Sequence, residues 1–391
     1  MSNKRETYNN QPFGTPRRRK KRTFLGALFV IVLLAVTISF CVALVIAYLT
    51  PYVVPSTFGS LTIVGIFAPI LYAAVAVCML LWLVTGRWKT ALLVSVFLLP
   101  GIFRFSDFYN IAFMRDVETK PSRSDITLMT FNVRGFYDDN AVRSVDGIVD
   151  YIAGIENIDV ACFQEFDLMA PGIERLDSLM QERQLSYKND VTEFGDVVLR
   201  SYSRYPIIAS GDIAGNNRGT SQWFDIVVKR SIERMADTLR VFNNHLHTMS
   251  ISADDSQDIT EGKIFSDGDR MRSIVDRIAN NSSIRVDHVD TLGMVVKQTP
   301  YEHIICGDFN DTPMSYVYGK LVDNHHDAFV EVGEGYGYTF RPMYGTLRID
   351  YVLHSEGMSA TKYVADESVQ FSDHLPVIVT LKVDKSDEEL R

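Results

Sequence analysis

A chain of 391 residues is longer than one ordinary domain, and its charge is unevenly divided: residues 1–115 hold 12 Lys/Arg and 2 Asp/Glu, a balance of +10, whereas residues 116–391 hold 27 and 46, a balance of −19. So acidic a segment repels a polyanion unless metal ions or a local basic groove intervene, which argues against broad nonspecific binding of nucleic acid. The four cysteines, Cys41, Cys78, Cys162 and Cys306, show neither CxxC nor Cys/His ligand spacing, which argues against a zinc site or disulfide framework and for small buried hydrophobes.

Residues 1–22 are polar and end in Arg17-Arg18-Arg19-Lys20-Lys21-Arg22. Placed against an apolar run, this cluster reads as a topological signal that keeps the N-terminus cytoplasmic. Residues 23–50 are uncharged and apolar, longer than the ~20 residues a spanning helix needs and too long for a signal-peptide core, so the segment is expected to be retained. A turn over 51–57 leads to a second uncharged run, 58–84, followed by the basic, aromatic Gly86-Arg87-Trp88-Lys89. A third span is expected at about 89–105, although its apolar core is short. Three crossings make an integral, multi-pass membrane protein with everything after about residue 104 extracytoplasmic. If the third segment is instead re-entrant or interfacial, two spans remain and the acidic domain is cytoplasmic. The organisation is then a membrane region over 23–113, a polar linker over 114–125, a globular domain over 126–384 and an acidic tail over 385–391.

From residue 126 apolar runs alternate with amphipathic segments in the manner of an α/β fold. Strands are expected at 126–133, 159–163, 196–199, 223–229, 239–246, 304–306, 349–353 and 376–383, and helices at 145–152, 173–183 and 269–280. In the last helix Met271, Ile274, Val275 and Ile278 form one buried stripe. Residues 249–267, rich in Ser and Asp, read as a surface loop.

Six polar clusters sit at or beside the ends of these strands: Thr130-Phe131-Asn132-Val133-Arg134-Gly135, Phe163-Gln164-Glu165-Phe166, Asn243-Asn244-His245-Leu246-His247, Cys306-Gly307-Asp308-Phe309-Asn310-Asp311, Arg348-Ile349-Asp350-Tyr351 and Phe371-Ser372-Asp373-His374-Leu375-Pro376. Singly each has a bland reading as a turn, a cap or a satisfied ion pair. No Gly-x-Ser-x-Gly is present, which disfavours a serine hydrolase despite the His374 and Asp350 pair. His245-x-His247 has no third zinc ligand at telling spacing, so His247 reads as a residue that lines the cleft. His325-His326-Asp327 reads as a solvated turn, and Arg270 as either a substrate contact or a surface charge.

Together the clusters resemble, in order and local sequence, the endonuclease/exonuclease/phosphatase superfamily, the metal-dependent phosphodiesterases related to type I deoxyribonuclease, exonuclease III and neutral sphingomyelinase. The resemblance covers about residues 124–384. It implies a four-layer, two-sheet α/β sandwich of the type I deoxyribonuclease kind, and a site that uses Mg²⁺ or Mn²⁺. By the same resemblance Glu165 and Asn132 hold the metal with Asp373 assisting, Asp308 orients or deprotonates water, and Asn310 donates to phosphate. His374 bonds a phosphoryl oxygen with Asp350 fixing its tautomer, and His245 is a second phosphate donor. Ser203-Arg204-Tyr205-Pro206-Ile207 resembles a structural segment of the family. Two departures bear on substrate. Asn243-Asn244-His245-Leu246 is more similar to the Thr-His-Leu of the phosphatase and sphingomyelinase branches than to the DNA-repair element, and Arg134 replaces an acid that some nucleases carry. The expected function is a membrane-anchored phosphoesterase acting on a phosphodiester in a lipid, nucleotide or other small molecule at the bilayer. The alternatives are an extracytoplasmic nuclease and a catalytically silent membrane binding protein on the same fold.

Overall fold

The computed structural model describes residues 24–111, 125–138, 140–214, 219–228, 237–251 and 253–383. The basic N-terminus, nearly all of the linker and the acidic tail lie outside the described residues. In chain order the strands are β1 (Tyr109–Asn110), β2 (Ile126–Asn132), β3 (Val160–Asp167), β4 (Tyr187–Phe194), β5 (Val197–Ser203), β6 (Ile207–Ala214), β7 (Thr220–Val228), β8 (Asp237–His245), β9 (Glu302–Asp308), β10 (His326–Asp327), β11 (Gly335–Tyr336), β12 (Asp350–His354), β13 (Met358–Ala365) and β14 (Val377–Val383).

Two six-stranded sheets, ordered β13-β14-β2-β3-β5-β4 and β10-β12-β9-β8-β7-β6, carry the domain. Each has a single parallel pair at its middle, β2 with β3 and β8 with β9, among otherwise antiparallel neighbours. A parallel pair needs a crossover, and helices Val145–Gly154 and Gly268–Lys297 provide the two. Both pairs are buried on both faces. In β2, Ile126 and Leu128 enter the core between the sheets with Val160, Cys162, Val241, Ile304 and Cys306, while Met129 and Phe131 face outward onto Ile148, Ile152 and Leu176. On the other side Phe242 and Ile305 meet Val289, Leu292 and Val317. The result is the expected helix–sheet–sheet–helix sandwich, with the two domain cysteines acting as small core hydrophobes.

Several elements differ from expectation. Strands β4, β6 and β13 were not legible, because β4 and β13 are largely polar or half-buried and β6 contains Gly211 against the Trp223 indole. The expected loop at 249–267 contains a helix, Ala253–Thr260, whose Asp255 pairs with Arg270 and Arg277. The helix expected at 269–280 runs on to Lys297. Its Asn280-Asn281-Ser282-Ser283 sequence suggests a stop, but tertiary partners use these polar groups: Asn281 bonds His247 and Ser250, and Ser282 accepts from Thr62. The expected solvated turn at His325-His326-Asp327 is also corrected. Asp327 is buried, at 2.6 Å from the Arg348 guanidinium and 2.8 Å from the Tyr318 hydroxyl.

Of the three expected spans, the first is a single helix long and apolar enough to cross a membrane, Phe24–Tyr52. The second is broken by a 57° bend between Pro55–Ile66 and Ala68–Val84, where Pro69 opens the new helix. The third, Trp88–Ile102, has 15 residues and an internal Pro100, short of the ~20 needed to span alone. The three long helices pack together through Leu33, Leu44, Val75, Trp82, Ala91 and Val94, and Trp82 Nε1 donates to Thr37 Oγ1 at 3.0 Å.

This helical region is docked on the sandwich at polar joints. Thr50 Oγ1 donates to the Met314 carbonyl at 2.6 Å, and the buried Arg348 guanidinium donates to the Asp107 carbonyl through Nε at 3.1 Å and Nη2 at 2.8 Å. Gly65 lies so close that a Cβ there would overlap the Met314 carbonyl oxygen. Gly65→Ala is expected to destabilise the full chain by about 1–3 kcal/mol through overpacking, while Gly293→Ala, whose Cβ enters open space in a helix interior, is neutral or stabilising by up to about 1 kcal/mol. Thermal unfolding of the two variants in detergent compares them directly.

Candidate active site

The parallel pairs bring their C-terminal ends to the same end of the sandwich, and period-2 alternation selects which side chains arrive there. Asn132 ends β2 on the inner face that carries Ile126 and Leu128. In β3 the register shifts between Phe163 and Phe166, so that an extra residue is accommodated and both rings stay in the outer core. That bulge re-aims Glu165, whose φ of 51° is left-handed. Across the other sheet His245 pairs with Asp308, and Asp308 pairs in turn with Asp350.

Asp308 is the hub. Its Oδ2 accepts from Asn132 Nδ2 at 3.1 Å and Asn310 Nδ2 at 3.0 Å, and its Oδ1 accepts the Asn310 N–H at 2.8 Å. His374 Nε2 lies 3.7 Å from the same Oδ2 and His245 Nε2 3.8 Å from it. Burial pushes the Asp308 carboxyl up to about 6, against the pull of His374 and His245, so it is ionised at neutral pH. Burial opposes charge on both histidines as well, but acidic neighbours outweigh it. Asp350 and Asp308 push His374 up to about 10, and Glu193, Glu165 and Asp308 push His245 up to about 10.

Each imidazole is oriented from behind. Asp350 Oδ2 sits 2.9 Å from His374 Nδ1, the pairing expected from sequence. Glu193 Oε2 sits 2.7 Å from His245 Nδ1 while its Oε1 accepts the Glu165 N–H at 3.1 Å. Glu193 was missed because it lies in β4, an edge strand with no motif around it. Ser372 was named only as part of a cluster; its hydroxyl donates to the Asn132 carbonyl at 2.7 Å and ties the last loop to β2.

Arg134, Glu165, Asp308, Asn310, Asp373 and His374 line a cavity of about 160 Å³ together with Thr248, Met249, Ile251, Phe340 and Ile349. Of the eight residues singled out from sequence, five therefore line the cavity, and Asn132, His245 and Asp350 bond or flank those that do. His247 turns away to Asn281, and Arg270 pairs with Asp258 and Asp255 on the neighbouring helix. The Ser203–Ile207 segment is structural: Arg204 pairs with Asp159 at 2.9 Å.

The donor set suits a hard cation. Glu165 keeps a third of its side chain exposed toward the cavity, and its Oε1 lies 3.1 Å from Asn132 Nδ2, which also contacts Asp308. These are oxygen-bearing groups of the kind Mg²⁺ takes one or two at a time. Asp308, Asp350 and His374 also place donor atoms within 4.8 Å of one another. Asp350 and His374 direct their facing atoms at each other, however, and Asp350 does not reach the cavity, so Glu165 is the better-presented carboxylate; Asn132 turns its Nδ2 toward Glu165 and Asp308 and its Oδ1 to the Arg134 N–H at 3.0 Å, so its amide would have to turn to offer oxygen to a cation. Asp373 lies 3.3 Å from the Arg134 guanidinium, which offsets its charge at the rim.

Comparison with known proteins agrees with this geometry. The model of the Endonuclease/Exonuclease/phosphatase family matches residues 129–374. The chain belongs to this family. A second model, of a domain of unknown function, matches residues 19–108. No curated protein matches. Among solved structures, an endonuclease/exonuclease/phosphatase from Beutenbergia cavernae is 17% identical, with 67% of this chain and 72% of that chain covered and a TM-score of 0.49. One from Bacteroides vulgatus is 16% identical, with 66% and 99% covered and a TM-score of 0.49. A mannosyl-6-phosphatase from Bacteroides thetaiotaomicron is 16% identical, with 66% and 99% covered and a TM-score of 0.44. Members of the family are hydrolases of phosphoesters.

Because Glu193 orients His245 without lining the cavity, Glu193→Ala is expected to lower kcat roughly 10–100-fold, the usual cost of losing an orienting partner. Steady-state kinetics should show the loss in kcat more than in KM, with the melting temperature of the variant as a control for folding.

Proposed function

We propose that the protein is a Mg²⁺-dependent, membrane-embedded phosphoesterase that cleaves a phosphodiester by attack of water. The observation that carries this reading is the buried carboxylate Asp308, held by Asn132 and Asn310 at the cavity, with one oxygen 3.7 Å from His374 Nε2 and 3.8 Å from His245 Nε2. Asp308 orients the attacking water and receives its proton, since it is ionised at neutral pH. His374 and His245, fixed by Asp350 and Glu193, donate to the phosphoryl oxygens as negative charge grows on them, and Asn310 and Arg134 hold the phosphate. The new P–O bond forms from water while the P–O bond to the alcohol breaks, and the proton taken from water is returned to the departing alkoxide. A divalent cation held by Glu165 and Asn132, with Asp373 alongside, would neutralise a non-bridging oxygen and polarise phosphorus.

In this reading residues 23–113 form the membrane region, 114–125 the linker and 126–384 the catalytic domain. In this reading all three long helices cross, the 15-residue third lengthened toward the ~20 needed by the short helical turn that follows it to Asp107, giving an odd number of crossings. The ends near Thr50, Ile66 and Asp107 dock on the domain, and the chain order puts the Arg87/Lys89 turn at the far end of the bundle. Positive residues stay cytoplasmic, so the N-terminus is cytoplasmic and the domain extracytoplasmic.

Asp308→Asn is expected to lower kcat on bis-p-nitrophenyl phosphate by roughly 10²–10⁴-fold or more, and EDTA to abolish turnover that Mg²⁺ then restores. Activity insensitive to both would sink the reading. For topology, a cysteine introduced at Ser359, on the domain, should react with an impermeant maleimide in intact spheroplasts, whereas protection until lysis would place the domain inside.

A further inference from the structure

The active-site cavity has two unlike walls. Arg134, Glu165, Asp308, Asn310, Asp373 and His374 form one; Met249, Ile251, Phe340 and Ile349 form the other. The apolar set does not end at the cavity. The same four side chains belong to one packed cluster with Ile264, Ile274, Ile278 and Leu347, and this cluster is completed by Ile63, Ile66 and Phe67. Those last three residues lead into the bend from which helix Ala68–Val84 departs.

Exposed aromatic side chains mark where this end of the bundle meets a bilayer surface. Tyr52, Phe58, Phe103, Phe105 and Tyr109 are all solvent-facing at the domain-side ends of the helices, Phe103 at 86% and Tyr52 at 73%. Trp88 is exposed at the opposite end between Arg87 and Lys89. Two aromatic belts, one with flanking cations, are the usual signature of the two interfaces. The catalytic loop itself is fixed to the domain-side belt, because the Met314 carbonyl, six residues after Asp308, accepts from Thr50 at the end of the first long helix.

We infer that the site takes the phosphoester of a bilayer-resident amphiphile, with the phosphate on the polar wall and the first part of the apolar chain along Ile251 and Phe340, the half-buried members of the apolar set. This rests on the phosphoesterase reading above. The acidic balance of residues 116–391 makes a long polyanion a poor competitor, whereas a single headgroup phosphate spans only the cavity itself, where Arg134 and His374 stand beside the carboxylates that would hold a cation. Hydrolysis consumes one water, breaks one P–O ester bond, and leaves an alcohol and the remaining phosphate.

The test uses the full chain in phosphatidylcholine vesicles with Mg²⁺. Three substrate classes are compared: phosphatidylglycerol and phosphatidate in the same vesicles, their deacylated counterparts glycerophosphoglycerol and glycerol phosphate in solution, and supercoiled plasmid. Sharing a surface raises effective concentration by 10²–10⁴-fold, so a vesicle lipid should be hydrolysed at least roughly 100-fold faster than its deacylated counterpart. Ile251→Glu should lower that ratio about tenfold, a change that surface sharing alone would not produce. If deacylated compounds or plasmid are cleaved as fast as the lipids, and Asp308→Asn still abolishes that cleavage, the amphiphile inference fails and the phosphoesterase reading stands. If the ratio is high but Ile251→Glu leaves it unchanged, the apolar wall does not hold the chain and the inference also fails. No turnover of any of the three classes overturns the amphiphile inference, and no turnover of bis-p-nitrophenyl phosphate in the same preparation overturns the phosphoesterase reading as well.

Discussion

Parallel pairing at the centre of each sheet is the constraint on which the site depends. Two parallel strands must end on the same side, so β2 with β3 and β8 with β9 bring Asn132, Glu165, His245 and Asp308 to one end of the sandwich. Packing the two sheets face to face then sets the two pairs opposite each other across a core of Leu128, Cys162, Val241 and Cys306. Antiparallel neighbours complete the set, since β12 runs back along β9 and begins with Asp350 beside Asp308. The reactive groups are thus held by strand ends in a close-packed interior, which gives them little freedom to drift.

The backbone carries strain where the chemistry is concentrated. Arg134, Glu165 and Asn310 all have positive φ, at 49°, 51° and 49°. Asn tolerates this region, but Glu and Arg there cost on the order of 1–3 kcal/mol and persist only where surrounding contacts over-determine them. The contacts are present: the Glu165 N–H is bonded to Glu193 and the Arg134 N–H to Asn132 Oδ1. The charge pattern follows a similar logic. One buried carboxylate lies between two imidazoles, each with its own carboxylate behind it, so acid and base are kept in opposite charge states by neighbours rather than by solvent.

The helical region is part of the same construction. Arg348 is two residues from Asp350 and reaches back to the Asp107 carbonyl, while Met314 follows the Asp308 turn and receives Thr50. These two joints fall within a few residues of the site, whereas Asn110 is held farther away, by the Phe329 and Val330 carbonyls. Breaking either of the two would strand buried polar groups: Arg348 would keep Asp327 and the rings of Tyr318, Phe329 and Tyr351 but lose the acceptor of two of its N–H groups.

By itself the sequence determined the α/β class, the central strands, the uncharged helices at the N-terminus and the family, because buried parallel strands read as continuous apolar runs and their polar ends are local strings. Asp308, His374 and Asp350 were legible for that reason. The tertiary structure alone decided what depends on contacts between distant segments. Glu193 became the partner of His245 through an edge strand with no motif, and the 30-residue helix passed its Asn-Ser stretch because His247, Ser250 and Thr62 engage those side chains. Likewise no local string could show that the second apolar run bends at Phe67, or that Ile63 and Ile66 share a cluster with the cavity wall. Hydropathy reports how apolar a segment is, and only packing reports what it touches.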